Sequence, residues 1–375
     1  MFDVILALTI AFTITFLAIP VIIRVAAMKK IYDIPDERKI HQAAIPALGG
    51  LGIFAGFLFA VLLIANFQLA KHLQFYLAAS VVIFYMGLKD DIIIISPVKK
   101  FIGQVLAAFI VIYYGDLQIE SMQGFLGVYA LPESFSLIFT YLTAIVVMNS
   151  FNLIDGVDGL AGSLGLLSTT VFGTYFVLTG HLPEAVLAFS MAGSVLAFLI
   201  FNFQPARIFM GDTGSLLIGL VNAVLVVKFI HVAMVPGQAF TIHASPAVGF
   251  GILMIPLLDT LRVFGIRMFN RRSPFSPDRN HIHHLLLDLG CSHRTIAISL
   301  MALNAGMAAI GFIFHPMGST FLMTLYFGIF FSLIGILYLV RKRRPRLFVT
   351  SNNEIRKQSG GKLVPLSESP VIEKK

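Results

Sequence analysis

The chain has 375 residues, 57% of them hydrophobic and only 12% charged, with a mean hydropathy of +0.88. A soluble domain has about a quarter of its residues charged, so this composition excludes one and marks a polytopic membrane protein. The single cysteine, Cys291, excludes an intramolecular disulfide framework. A net charge of +8 would suit a nucleic-acid binder, but the placement of the charges points to membrane topology instead.

Eleven apolar runs follow one another, at 3–23, 48–66, 74–89, 101–115, 135–152, 157–179, 185–203, 212–230, 246–268, 294–314 and 319–340. Each is near the ~20 residues a bilayer-crossing helix needs. The expected fold is therefore all-α, with about eleven transmembrane helices. No basic residue precedes the first run and no small-residue cleavage site follows it, so it reads as a permanent anchor. Placing the N-terminus outside gathers Arg24, Lys29, Lys30, Arg38, Lys39, Lys89, Lys99, Lys100, Arg207 and the six arginines from Arg262 to Arg294 on the inner side. Only Lys71 and Lys228 of the 27 basic residues then fall near the outer side. The positive-inside rule thus predicts an outer N-terminus and a cytoplasmic C-terminus. Residues 1–340 form the expected transmembrane domain. Residues 341–375 open with Arg-Lys-Arg-Arg-Pro-Arg and turn polar, which reads as a headgroup anchor followed by disorder.

With that topology, five polar stretches share the cytoplasmic face. The first, Asp33–His41, leads to Pro46-Ala-Leu-Gly-Gly50; its Lys39 and His41 could reach a phosphate, or it could be a solvated loop. The second is Asp90-Asp91, followed by Lys99-Lys100. Adjacent carboxylates raise each other's pKa unless a cation sits between them, and magnesium or a lysine would serve. The third, Asn149–Gly162, places Asn152, Asp155 and Asp158 three apart between two apolar runs. A carboxylate deep in a bilayer costs at least a few kcal/mol, so the pair needs either a function or a polar turn to hold it. A calcium loop of the EF-hand kind fails, because the twelfth position from Asp155 is Leu166.

The fourth, Asn202–Ser215, ends one run at Pro205 and opens the next at Gly211-Asp212-Thr213. A glycine-rich helix N-terminus welcomes phosphate and an aspartate there can hold Mg²⁺, though Asp212 or Thr213 could equally be a simple N-cap. The fifth, Arg271–His284, contains Arg279, His281, His283 and His284. Zinc is the rival reading, but no acidic or thiol partner stands at a familiar ligand spacing. Carboxylates beside basic residues on one face suit a metal–diphosphate site.

Asp90-Asp91, Asn149–Gly162, Phe209-Met-Gly-Asp-Thr-Gly-Ser-Leu216 and Pro277-Asp-Arg-Asn-His-Ile-His-His284 together give the sequence its resemblance to the polyprenyl-phosphate N-acetylhexosamine-1-phosphate transferase superfamily, glycosyltransferase family 4, over the chain to about residue 340. The interrupted His-Ile-His-His pattern resembles the branch that transfers N-acetylglucosamine 1-phosphate; the phospho-N-acetylmuramoyl-pentapeptide branch usually shows three consecutive histidines. The resemblance implies an enzyme of the bacterial inner membrane that uses Mg²⁺, with Mn²⁺ as a substitute, and transfers the N-acetylhexosamine 1-phosphate of a UDP-N-acetylhexosamine to undecaprenyl phosphate, releasing UMP and initiating a cell-envelope glycan. It implies Asp212 as the metal ligand with Asp91 as a second contact. Asp90 and Asp91 would orient or deprotonate the lipid phosphate. Asn152, Asp155 and Asp158 would line the diphosphate pocket, with Asn202 and Phe209 near the uracil. Arg279, His281, His283 and His284 would hold the diphosphate or sugar, with Lys39 and Lys100 as further phosphate contacts. Self-association into a homodimer is left open, and no nucleic acid is expected. The rival from another class is a transporter, since intramembrane charges often mark ion paths. Transporter sites lie near the midplane, often between inverted repeats; these carboxylates lie near one face and no repeat is evident.

Overall fold

The computed structural model describes residues 1–29, 45–68, 70–93, 95–235, 240–273 and 280–343, with short stretches at 347–348 and 362–363. Its helices are α1 (Phe2–Lys29), α2 (Gly49–Ile64), α3 (His72–Ile92), α4 (Pro97–Phe109, continued by a π-turn at Ile110–Tyr114), α5 (Glu133–Ile154), α6 (Leu160–Leu178) and α7 (Leu182–Asn202). They continue with α8 (Gly211–Met234), α9 (Ser245–Ile252), α10 (Met254–Phe269), α11 (Ile282–Asp288), α12 (His293–Phe314) and α13 (Ser319–Arg343). The protein is an all-α, multi-pass membrane protein. Among the described residues, eight helical segments are long and apolar enough to cross a membrane, or nine if α9 and α10 form one span. α2 is shorter, at 16 residues, and α3 ends in Lys89, Asp90 and Asp91. Each of the eleven predicted runs holds a helix or a bent helical pair. The polar tail expected to be disordered lies almost wholly outside the described residues, as does the Asp33–His41 loop.

α8 is the centre of the bundle. From Leu216 to Val227 it is apolar on every side apart from Asn222, so no face of that stretch seeks water or headgroups, and such a helix belongs inside. Its most apolar window is 89% buried, against 22% for α1 and 17% for α13, which marks those two as lipid-facing. α2, α3, α5, α6 and α9 pack around it. Leu17, Leu63, Ile138, Ile313 and Leu339 point outward, as lipid-facing side chains do. A reciprocal amide pair joins α4 to α5: Asn149 Nδ2 donates to Gln104 Oε1 at 2.9 Å and Gln104 Nε2 to Asn149 Oδ1 at 3.3 Å. Polar groups without water must find such partners inside the bundle.

The run 246–268, expected as one continuous span, is corrected by the structure. α9 and α10 meet at an angle of 85°. The cause is Pro256, which has no N–H for the carbonyl of Ile252. Asn304 of α12 fills the break: its Nδ2 donates to Ile252 O at 2.6 Å and its Oδ1 accepts from Ile255 N at 2.9 Å. One amide thus satisfies both backbone groups the bend exposes. The bend turns α10 toward the end of the bundle where α3 and α5 finish and α8 begins. At the other end, residues between α4 and α5 form a hairpin of β1 (Ser121–Phe125) and β2 (Val128–Ala130), antiparallel, where only a loop was expected.

Candidate active site

The C-termini of α3 and α5 and the N-termini of α4 and α8 converge, and each delivers polar residues. Asp90, in the last turn of α3, accepts from Ile95 N at 2.8 Å, which shapes the turn into α4. Its Oδ2 lies 2.7 Å from Lys100 Nζ, in the first turns of α4. Lys100 also pairs with Asp212 at the start of α8. Asp212 Oδ1 accepts from Asn152 Nδ2 at 3.0 Å, and Asn152 also bonds Ser215 Oγ at 3.0 Å. Lys100 therefore occupies the cation position between two of the predicted carboxylates.

Asp91, expected as a second metal contact, holds the start of α8. Its Oδ1 accepts from Asp212 N at 2.7 Å, and its Oδ2 accepts from Thr213 N at 3.0 Å and Thr213 Oγ1 at 2.5 Å. It caps α8 from another helix, satisfying N–H groups that have no partner within α8 itself. This also corrects the alternative in which Asp212 or Thr213 caps its own helix. Gly211 makes the approach possible: its φ is +71°, and a Cβ there would lie 2.6 Å from Asp91 Oδ2. From the first stretch, Pro46–Gly50 reaches the same place, with Phe209 N bonded to Pro46 O and Gly49 N to Phe209 O, both at 2.9 Å.

Asp155 follows α5 and Asp158 precedes α6. Asp155 is half-buried and makes no hydrogen bond among the described residues. Loss of water, then the negative fields of Asp212, Asp91 and Asp158, push its carboxyl up to about 8. Asp158 is buried, with its Oδ1 3.4 Å from His293 Nδ1. The histidine stretch packs on this loop: a Cβ on Gly156 would lie 2.5 Å from His283 Nε2. His281 and His283 stack with centroids 5.6 Å apart, and His283 and His284 lie 4.3 Å apart. Burial, then the neighbouring His284, push His283 down to about 3, so it is neutral at pH 7. Asn202, expected as a base contact, has both ends of its amide on backbone: Oδ1 accepts from Gly159 N and Nδ2 donates to Ile208 O, each at 2.9 Å. The structure gives it a positioning part between two loops. Lys39 and Arg279 lie outside the described residues.

Sequence reasoning missed three contributors. Asp259 is fully buried and holds His281; Arg262 was counted only as a topological charge; His293 meets Asp158. An aspartate inside the run 246–268 was the signal for the first, because an ionisable residue in an apolar span needs a partner.

Hard oxygen donors with one carboxylate lacking a hydrogen bond fit a divalent cation such as Mg²⁺. Among the described residues no group of three His, Cys, Asp or Glu side chains stands ready to hold a metal ion, so coordination here would need oxygens of the substrate phosphates. The raised carboxyl has a testable sign. Asp155 titrates near 3.8 unfolded and higher when folded, so its burden on stability is absent below the unfolded pKa and grows as pH rises toward 8. Without divalent cation, the parent protein should melt at a lower temperature at pH 8 than at pH 5. Asp155→Asn should remove most of that slope, and Mg²⁺ should raise the melting temperature more at pH 8. An unchanged slope in Asp155→Asn would show that the repulsion is not centred there.

The bundle and this cluster define a polytopic membrane enzyme site built of carboxylates, one lysine and histidines at one end of the helices. The glycosyl transferase family 4 model matches residues 73–230. The chain is 30% identical to the undecaprenyl-phosphate alpha-N-acetylglucosaminyl 1-phosphate transferase of Escherichia coli (strain K12), covering 77% of each chain. It is 32% identical to the enzyme of that name from Yersinia pestis, covering 77% of this chain and 78% of the relative. It is also 33% identical to the decaprenyl-phosphate N-acetylglucosaminephosphotransferase of Mycobacterium leprae, over 74% of this chain and 75% of the relative. The chain belongs to glycosyl transferase family 4.

Proposed function

We propose that the protein transfers N-acetylglucosamine 1-phosphate from UDP-N-acetylglucosamine to undecaprenyl phosphate. An oxygen of the lipid phosphate bonds to the β-phosphorus, the bond between that phosphorus and the bridging oxygen breaks, and UMP leaves. The observation that carries this reading is the junction of Asp90, Lys100, Asn152, Asp155 and Asp212 beside the histidine loop. Phosphoryl transfer asks for positioning and charge neutralisation more than covalent help. Lys100 supplies positive charge to phosphate oxygens, Asp90 holds Lys100, Asn152 holds Asp212, and the histidines face the sugar diphosphate. Mg²⁺, or Mn²⁺ in its place, held by Asp212 with Asp155, would add electrostatic stabilisation at the phosphates.

The test is purified protein in lipid vesicles with undecaprenyl phosphate, Mg²⁺ and a panel of UDP-sugars. UMP release with label in lipid is expected from UDP-N-acetylglucosamine. Lipid-linked muramoyl-pentapeptide as the main product would place the chain in the other branch, and uptake of solute without UMP release would mark a transporter.

The same reading places the site on the cytoplasmic face of the inner membrane, where a soluble nucleotide sugar is available. Reporter fusions after Lys71 and after Lys100 should then report opposite compartments, with the second inside. Equal signals from the two would overturn the span assignment.

A further inference from the structure

The histidine loop is held by a buried pair that the proposed reaction has not yet used. Asp259 lies on α10 just past the bend, fully buried. Its Oδ1 accepts from Arg262 Nη2 at 2.7 Å and from Ile282 N at 3.0 Å, and its Oδ2 lies 2.8 Å from His281 Nδ1. Arg262 also donates from Nη2 to Asn280 O at 2.6 Å. Three consecutive residues, 280 to 282, are therefore clamped at backbone, side chain and backbone. The clamp depends on the bend, because α10 and not α9 carries both residues.

A carboxylate is an acceptor, so the imidazole nitrogen facing it carries the proton. His281 Nδ1 is thus committed to Asp259, and Nε2 is the nitrogen left to act. His281 is buried, yet its Nε2 has no partner among the described residues, and neither do Nε and Nη1 of Arg262. Buried polar nitrogens are almost always satisfied, and three without partners on one clamp, with Nε2 of His281 a donor once the ring is doubly protonated, mark a place kept for an oxygen-rich ligand. His283 stacks on the His281 ring and fixes its plane.

We propose that Asp259 is the positioning residue for His281: it accepts a hydrogen bond from Nδ1 and its charge supports the doubly protonated ring, so that Nε2–H faces the diphosphate of the nucleotide sugar. This rests on the reading of His281 as a contact of the sugar nucleotide. The clamp acts on the donor substrate and not on the lipid, because it grips the histidine loop at its start.

Asp259→Asn keeps the shape and removes the charge. It should raise KM for UDP-N-acetylglucosamine by about 10- to 100-fold, the scale of one charge-assisted hydrogen bond, and leave KM for undecaprenyl phosphate within about threefold. In a His281→Ala background the same change should alter the dissociation constant for UDP-N-acetylglucosamine by less than about threefold, since the positioned group is gone. An equal loss in both backgrounds, or an equal rise in both KM values, would reduce Asp259 to a structural residue. A second measurement needs no variant at position 259. In ¹⁵N-histidine spectra of the parent, with His281 assigned by its loss in His281→Ala, Nδ1 and Nε2 should both carry a proton; a neutral ring would overturn the proposal. A His281→Ala protein that binds UDP-N-acetylglucosamine like the parent would remove the underlying reading of the site. A defective His281→Ala beside a parent-like Asp259→Asn would overturn this inference alone.

Discussion

Asp212→Asn is expected to lower turnover by about three powers of ten, the scale seen when one electrostatic contributor to a transition state is removed. The substitution is nearly isosteric, so the start of α8 should survive, still capped by Asp91. What changes is the charge and the pattern of acceptors. Both carboxylate oxygens receive donors now, one from Asn152 and one from Lys100. An amide offers one oxygen, and its NH₂ would face one of those donors. The helix N-terminus favours a negative group at this point, and a hard metal ion prefers a charged oxygen. Turnover is measured at saturating Mg²⁺ on protein that elutes as a single species in detergent. Retention of more than a few per cent of parental turnover would show that Asp212 is neither metal ligand nor electrostatic contributor.

The parts of this site that could be read from the sequence were those where polarity interrupts apolarity. Asp90-Asp91, Asn152 to Asp158 and Asp212 each stand at the edge of a run where leucine would be cheaper, and the structure brings all of them to one end of the bundle. Lys100 was legible as a cation near carboxylates, but only the fold showed that it lies between Asp90 and Asp212. The use of Asp91 was not legible, because a cap supplied by another helix leaves no local pattern. The bend at Leu253 was hidden for a related reason. Hydropathy stays high across it, and the residue that makes it tolerable, Asn304, lies in another helix. Asp259 was hidden inside the same run, masked by the partner Arg262 three residues on. The short helix α11 and the β1–β2 hairpin carry too few residues for a period to show.

Lys100→Met should separate two effects that usually move together, slowing turnover while tightening the metal. Lys100 is the cation shared by Asp90 and Asp212, with Asp91 and Asp155 close enough to add to the negative field. Methionine keeps most of the apolar stem and removes the charge. The carboxylates then repel one another without relief, and folding stability should fall. A divalent cation becomes the best available relief. Its affinity should rise by about tenfold, because a competing positive charge has left. Turnover should nevertheless drop by about 10²- to 10³-fold, since the phosphates lose a fixed positive group at the moment charge shifts. Lys100→Arg should recover part of the turnover, limited by the larger guanidinium in a space shaped for an ammonium. Metal affinity is read by the rise in melting temperature with added Mg²⁺, and turnover by UMP release. If Lys100→Met weakens the metal and slows the reaction together, Lys100 does not compete with the cation, and the lysine is a strut that holds α4 against α8.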